Sequence, residues 1–393
     1  MFKDFSRKNT IPIIITLMAI IFLMLLPNQF PENKYENTER VAAKVLSTDN
    51  SFIKETGLIK IGEQLCDIEI LEGRFKGKIT TGTNRLVGSL EQDKIFQVGD
   101  KILVTLDYTG DEIRVATLVD HYRLNYEIIL VGIFVIVLVG FAGIVGIKSI
   151  LSFIFTVLAI WKVLIPLFLK GYNPVAVGVT TTMILIIIII GLVYGIDKKS
   201  LAAISGSLAG ALVTCLMAIF FVSRFKIHGA VMAYSESLLY SGFEDLNLTQ
   251  VFIASIFIAS CGAVMDVAVD ITSAVAEVVE KKPSITKIEA IKSGVNVGRS
   301  IMGTMMTTLL LAYSGGYIGL LMVFMAQGTP IINILNLKYV SSEILHTLIG
   351  SFGLVTVAPF TAITSGLLLA KSKEKSSLKS EILEKDIETE LIR

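Results

Sequence analysis

Residues 175–196 read VAVGVTTTMILIIIIIGLVYGI and contain no charged side chain. A helix of this length, rising about 1.5 Å per residue, crosses the roughly 30 Å of hydrocarbon in a lipid bilayer. The composition agrees, since 53% of the 393 residues are hydrophobic and only 18% are charged. A mean hydropathy of +0.71 excludes a soluble globular protein of this length and predicts a polytopic α-helical membrane protein.

Apolar runs of the same kind recur along the chain from residue 128 onward. We place these spans at about residues 128–147, 150–169, 175–196, 201–222, 248–274, 301–326 and 344–370. An earlier run, Ile11–Leu26, follows three basic residues and resembles a signal peptide. Because no Ala-x-Ala-like cleavage site follows it, residues 1–27 are interpreted as a retained signal-anchor span, which brings the prediction to about eight spans.

The segment 28–126 differs from the rest because it is polar and mixed. In Lys101–Tyr108, the side chains of Ile102, Val104 and Leu106 share one face, as the two-residue period of a strand requires. Short strands over about a hundred residues predict a small all-β domain, either a barrel or a sandwich, with an OB-like barrel among the candidates. The segment has no aromatic stripe for stacking bases, so we expect no nucleic-acid partner.

The distribution of Lys and Arg predicts the orientation. Basic residues are denser in alternate connections, beginning at the N-terminus and including Lys198-Lys199 and Lys281-Lys282. With an even number of spans, both termini are expected in the cytoplasm. We therefore expect a multi-pass protein of the bacterial plasma membrane, with residues 28–126 extracytoplasmic, residues 127–370 forming a seven-span domain, and residues 371–393 forming a cytoplasmic tail.

The most informative polar residues continue the sixth span. At about 100° per residue, Asp266, Asp270, Ser273 and Glu277 fall on one narrow stripe of a helix. A carboxylate at membrane depth is costly and normally faces the bundle interior, a partner or water. The functional interpretation is a proton or cation site at Asp266, with Asp270 and Glu277 as further candidates. The alternatives are a structural ion pair, or an aspartate at the inner boundary that water reaches.

A cation, Arg299, precedes the seventh span near the same inner boundary. It is a candidate partner for one of the three acids, and the equal alternative is an anchor that snorkels to the headgroups. Further pathway candidates on spans seven and eight are Thr304, Thr307, Thr308, Thr356, Pro359 and Thr361. Pro359 removes an internal hydrogen bond and is expected to kink or break its helix. Broken helices with hydroxyls at mid-depth form sites in many transporters, although Thr hydroxyls also bond to their own helix.

Small residues repeat at helical spacing in two other spans. Gly206 and Gly210 form a G-x-x-x-G motif in span five, and Gly140, Gly143 and Gly146 form a comparable set in span two. Both sets are expected to be surfaces for close helix packing rather than ligand sites.

Five segments together resemble the YibE/F-like family of bacterial multi-pass membrane proteins: the β segment, Asp120–Arg123, Gly262–Ala268, Gly298–Met305 and Leu310–Tyr313. The resemblance runs from about Arg40 to Ala370, and the segment around Asp266 is its most specific part. Two positions depart from the family pattern, since Ser300 replaces an expected acid and Thr307 or a neighbour replaces an expected Asn. Both departures weigh against a tight polar site on span seven. The resemblance implies the topology and singles out Asp266, Glu277 and Arg299, in a family that has been guessed to contain transporters.

The leading functional hypothesis is a secondary transporter or ion-coupled membrane protein with Asp266 as the proton or cation site. The alternative is a membrane-anchored scaffold whose external β domain binds a secreted or envelope partner. An intramembrane aspartyl protease would need a second carboxylate, for which Asp197 is the candidate, although a cytoplasmic turn explains that residue more simply. We expect no enzymatic activity, no cofactor and no metal site. The expected partners are the lipid bilayer and a small substrate or ion, and a homo-oligomer is left open.

Overall fold

A computed structural model describes residues 7–27, 30 and 37–370 of the chain. The chain divides into two compact units, one formed by Phe30–Phe141 and the other by Met1–Gln29 together with Ala142–Arg393. The predicted cytoplasmic tail, residues 371–393, lies outside the described residues. The predicted domain limits at residues 27, 126 and 370 stay predictions.

Six strands build the first unit. They are β1 (Thr38–Asp49), β2 (Ile53–Thr56), β3 (Ile59–Ile70), β4 (Ile79–Val87), β5 (Lys101–Thr109) and β6 (Glu112–His121). The order β1-β5-β6-β4-β3 closes on itself because β3 also pairs with β1, and β2 extends β3 as a hairpin. Strands β4 and β6 are parallel where Thr83 faces Thr117. The predicted small β domain is confirmed, and closure of five strands in this order is an OB-type barrel rather than a sandwich.

The barrel core follows from the alternation in the sequence. Ile102, Val104 and Leu106 of β5 are all completely buried. Gln64 of β3 lies among them as a polar tie, since its Nε2 donates to the carbonyl of Phe96 at 2.9 Å and its Oε1 accepts from the Phe96 amide at 3.0 Å. These two hydrogen bonds hold the long connection before β5 against the barrel wall. They also satisfy the buried side-chain amide of Gln64 and the backbone N–H and carbonyl of Phe96.

Helices form the rest of the described chain. They are α1 (Arg7–Leu25), α2 (Leu124–Ala142), α3 (Ile144–Ala159), α4 (Ile165–Leu169), α5 (Pro174–Tyr194), α6 (Lys198–Arg224), α7 (Ser235–Tyr240), α8 (Leu248–Lys281), α9 (Lys287–Ser314), α10 (Ile318–Ala326), α11 (Ile331–Asn336) and α12 (Lys338–Leu369). A π-helical turn, Ile160–Leu164, joins α3 to α4, and a 3₁₀ turn, Gly315–Tyr317, joins α9 to α10.

Seven helical segments of the described chain are long and apolar enough to cross a membrane. They correspond to the seven predicted spans after the anchor, so the prediction of a multi-pass helical membrane protein is confirmed. The predicted anchor is helix α1, whose apolar part, Thr10–Leu25, is shorter. Ile20 and Leu23 of α1 pack with Phe155 of α3 and Leu185 of α5, so α1 belongs to the helical unit.

Helix α12 lies at the centre of the helical unit and contacts α6, α8 and α9. The predicted packing role of Gly206 and Gly210 is confirmed, because a Cβ on Gly210 would lie 2.8 Å from Cβ of Val357, and one on Gly206 would overlap Thr361. Gly143 has a different role from the predicted one. Its φ of +57° separates α2 from α3, so this glycine makes a turn.

Candidate functional site

Asp266 lies near the middle of α8, which has 34 residues and is therefore about 51 Å long. Val264, two residues earlier, is completely buried and lies close to Gly210 of α6 and Gly353 of α12. Each of these glycines is near the middle of its own spanning helix. Asp266 therefore lies beside the point where three spanning helices meet near their mid-lengths.

The predicted stripe lies on the face of α8 that turns away from the packed core. Val267 and Ile271 are completely buried on the opposite face, whereas Asp266, Asp270, Ser273 and Glu277 are all exposed. Asp266 and Asp270 are one helical turn apart and close enough to interact electrostatically. Two like charges at this spacing repel each other, so the helix carries both only where a proton, a cation or water compensates them.

Tyr194 joins the end of α5 to the stripe. Its hydroxyl donates to the carbonyl of Val269 at 2.5 Å and also contacts the hydroxyl of Ser273. Asp270 lies close enough to Tyr194 to interact with it electrostatically. The middle of the stripe is therefore a small polar group of one tyrosine, one serine and one aspartate, beside Asp266.

The other two charged candidates are placed differently. Glu277 forms an ion pair with Lys281, whose Nζ lies 2.7 Å from Glu277 Oε1, and both side chains are well exposed. This is an ordinary pair between residues one turn apart on a helix surface. Arg299 is exposed, and among the described residues no acid lies within ion-pair distance of it. The neighbouring Gly298 packs at Ile271, so Arg299 lies at about the depth of Asp270 without contacting it.

Most of the threonines bond to their own helices. The hydroxyls of Thr304, Thr307 and Thr308 donate to carbonyls of α9, and that of Thr356 donates to the carbonyl of Phe352 at 2.8 Å. Thr361 differs, because it is completely buried against Gly206 and its hydroxyl has no hydrogen-bond partner among the described residues. Of the predicted pathway threonines, Thr361 alone is thus an unsatisfied polar group in the core of the described bundle.

The predicted break at Pro359 is not observed. Helix α12 runs as one helix from Lys338 to Leu369 with Pro359 inside it. Helix α12 packs against α6, α8 and α9, and neighbouring helices of this kind let a membrane helix tolerate an internal proline. The predicted kink at Pro359 stays a prediction. A local departure from α-helical geometry lies instead in span seven, where Gly315–Tyr317 form a 3₁₀ turn that we call the break.

Two polar groups, one on α12 and one in the π-helical turn after α3, were not predicted from the sequence. Glu343 and His346 are three residues apart on α12, and they face Tyr313 and Tyr317 beside the break. The signal in the sequence is a Glu-x-x-His spacing inside an apolar helix. Lys162, in the π-helical turn after α3, donates from Nζ to the carbonyl of Leu26 at 3.1 Å. Its signal is a lysine within an apolar run.

Asp197, the second carboxylate that the protease hypothesis requires, has a structural role. Asp197 caps α6, where its Oδ1 accepts from the amides of Lys199 at 2.8 Å and Ser200 at 3.0 Å. An aspartate with this geometry is an N-cap, which agrees with the simpler interpretation as a turn. Among the described residues, no group of three or more His, Cys, Asp or Glu side chains could hold a metal ion.

A cavity of about 220 Å³ lies between α5, α6 and α8. Its lining is apolar except for Thr182 and Cys215, and none of the stripe residues contributes to it. The acids of α8 are therefore reached from the exposed face of that helix and not through this cavity.

Comparison with known families gives two matches. The model of the YibE/F-like protein family matches residues 130–371, and that of the YibE/F family N-terminal domain matches residues 32–120. The first match covers the spans, including Asp266, and the second covers the barrel. Comparison with curated proteins and with solved structures gave no significant match.

Proposed function

The chain belongs to the YibE/F-like protein family, and on that premise we propose that it is a secondary transporter or another ion-coupled, non-enzymatic membrane protein. Asp266 is the proton- or cation-binding group. Asp270 is its electrostatic partner, and Tyr194 and Ser273 are the neighbouring polar contacts. The substrate is a small molecule or an ion.

One observation carries this proposal: Asp266 is an exposed carboxylate in the middle of a spanning helix. An ionised aspartate at the centre of a membrane helix costs about 2.5–3.5 kcal/mol by insertion scales. Asp270, one turn away with the same charge, adds to that cost. No cation within ion-pair distance offsets the charge of Asp266 among the described residues. A group placed at such a cost is suited to binding and releasing a proton or cation, because uptake of the ion removes the cost.

Ion flux in proteoliposomes tests the proposal. Purified protein is reconstituted, proton and sodium gradients are imposed, and a pH-sensitive dye inside reports flux. Asp266→Asn keeps the size of the side chain and is expected to abolish the flux. Glu277→Gln is the matched control, since it also neutralises an acid of α8, but one that Lys281 already compensates. Flux that survives Asp266→Asn unchanged would remove this residue from the mechanism.

A second candidate function is favoured by the barrel surface. Apolar side chains cluster on the β2–β3 hairpin and the adjoining end of β4: Phe52, Leu58, Ile59, Ile61 and Val87, with Leu58 80% exposed. We call this set the hairpin patch. Three of its members adjoin one another, because Ile61 pairs with Val87 and both Ile59 and Ile61 border Gly88. Exposed apolar patches commonly mark binding surfaces, so the hairpin patch supports the scaffold hypothesis, with an envelope or secreted protein as partner.

Crosslinking of the full-length protein in its own membrane tests the scaffold hypothesis. A crosslinked product that is lost in Leu58→Asp but kept in Val98→Asp would support it, since Val98 is 65% exposed on a turn outside the hairpin patch. Equal products from both variants would contradict it. Flux that persists after deletion of residues 30–125 would show that the bundle works without the barrel.

A further inference from the structure

The break in span seven adjoins a second group of titratable side chains, far from the stripe. Helix α9 ends at Ser314, a 3₁₀ turn covers Gly315–Tyr317, and α10 follows. Tyr313 and Tyr317 flank this break, and both approach α12 where it carries Glu343 and His346.

The contacts within this group are specific. The rings of Tyr313 and His346 meet edge to face, with their centroids 4.7 Å apart. The Glu343 carboxylate lies beside the Tyr317 hydroxyl, while its other oxygen, Oε1, is buried without a hydrogen-bond partner among the described residues. A buried carboxylate oxygen that lacks a donor is costly when the group is ionised. Binding a proton removes that charge.

Few charged or titratable side chains lie near Glu343 to offset the charge of its carboxylate. From span seven it is faced by Tyr313 and Tyr317, and from its own helix by His346 one turn along. Helix α8 contributes Phe252, whose ring centroid lies 6.4 Å from that of His346 and which does not titrate. Among the described residues, neither a lysine nor an arginine forms an ion pair with Glu343. The titration of this group therefore depends on one carboxyl, two phenols and one imidazole.

The group lies toward one end of the packed helices, whereas the stripe runs from the middle of α8 toward the other end. Gly350 of α12 packs at Ser260 of α8, and these helices run in the same direction. Glu343 lies seven residues before Gly350, and Asp266 lies six residues after Ser260. At 1.5 Å per residue, the two carboxyl groups are about 20 Å apart along the bundle axis. A proton cannot pass directly over that distance.

We propose that Glu343, with Tyr317 and His346, is a second proton-binding site of this protein, serving the end of the bundle opposite to Asp270. In this site the Glu343 carboxylate takes a proton from water at that end of the bundle and returns it there or passes it inward. Tyr317 positions the carboxyl group, and His346 packs on Tyr313 one turn further along α12. The 3₁₀ turn at Gly315–Tyr317 sets the position of Tyr317 beside the carboxyl group. The role in ion movement rests on the proposed function above, whereas the protonation of Glu343 does not.

Chemical labelling of the intact, reconstituted protein tests the site itself. Dicyclohexylcarbodiimide, an apolar reagent, modifies protonated carboxyl groups at membrane depth, and mass spectrometry locates the adducts. We expect an adduct at Glu343 that declines as the pH rises, and a much smaller adduct at Glu277, which is solvent-exposed and paired with Lys281. Tyr317→Phe removes the donor to the ionised carboxylate and should raise the Glu343 adduct about tenfold at alkaline pH. A Glu343 adduct that is independent of pH, or no larger than that of Glu277, would overturn the assignment.

Flux measurements then test its role separately. If wild-type protein carries protons, Glu343→Gln should abolish the flux as Asp266→Asn does, and unchanged flux would overturn the role of Glu343 in ion movement. If wild-type protein carries no protons, the proposed function fails, and the labelling result still decides whether Glu343 is a proton-binding site.

Discussion

Replacing Gly206 by alanine should loosen the central contact of the bundle. The added Cβ would overlap the hydroxyl of Thr361 and lie 2.8 Å from Cα of Thr361, which is backbone and cannot rotate away. Since carbon atoms pack at about 3.5–4.0 Å, α6 and α12 would have to separate by about 1 Å. Overpacking of this kind costs about 1–3 kcal/mol, and the higher helix propensity of alanine returns up to about 1 kcal/mol. The expected net loss is therefore between about 0 and 3 kcal/mol, and the loss relative to a glycine-to-alanine change without overpacking is about 1–3 kcal/mol.

Unfolding of the reconstituted or detergent-solubilised protein measures this loss. Gly262→Ala in α8 is the matched control, because a Cβ there meets no atom within 4 Å. The same chemical change should leave that variant as stable as the wild type, or slightly more stable. Adding Thr361→Ala to Gly206→Ala should recover part of the loss, since it removes the hydroxyl but not the backbone contact. If Gly206→Ala proved as stable as Gly262→Ala, the close approach of α6 and α12 would be refuted.

Two further predictions concern other parts of the chain. Asp93 accepts hydrogen bonds from the amides of Val87, Gly88 and Ser89, which hold the pKa of its carboxyl below the ordinary 3.8. The ionised Asp93 carboxylate therefore stabilises the barrel at neutral pH, and this stabilisation is lost as the pH falls below about 3.8 and through the lowered pKa. Hydrogen exchange should show that the Gly88 and Ser89 amides lose protection in acid in the wild type. In Asp93→Asn, the protection of these amides should no longer depend on pH in that range. Lys162→Met removes the charged donor to the Leu26 carbonyl and should lower the stability measured by thermal unfolding by about 1.5–3 kcal/mol. Lys170→Met is the control and should cost little. Equal losses in the two variants would contradict the contact between Lys162 and Leu26.

The parts of the fold with strong periodicity could be predicted from the sequence. The alternation of Ile102, Val104 and Leu106 fixed which face of β5 is buried. The long apolar runs located all seven spans, but not all of their ends, since the segment of span seven begins at Lys287 and was predicted to begin at residue 301. Closure of the barrel could not be derived in the same way, because it depends on the pairing of β1 with β3 and β5, and periodicity indicates faces but not partners.

In the candidate site too, features that follow from spacing could be predicted, and features that depend on packing between helices could not. The spacing of Asp266 and Asp270 correctly placed both on one face of α8, but it did not show that this face turns away from the core. Pro359 suggested a broken helix, yet packing on three sides overrides a single lost hydrogen bond, and the break occurs at Gly315-Gly316 instead. Glu343 was missed because one acid near the end of an apolar helix resembles an interfacial residue until Tyr317 and His346 are brought beside it.

The contact between Lys162 and Leu26 joins residues that are 136 positions apart. The chain between them contains the whole barrel unit, which is thus an insertion between two packed helices of the bundle. The free-energy cost of closing a loop grows only with the logarithm of its length. An inserted domain of this size therefore lowers the stability of the bundle only slightly. During synthesis, however, α1 is made first, and α3, against which it packs, is added only after the whole barrel. A chain that stopped after the barrel would leave α1 without the helix that supports it.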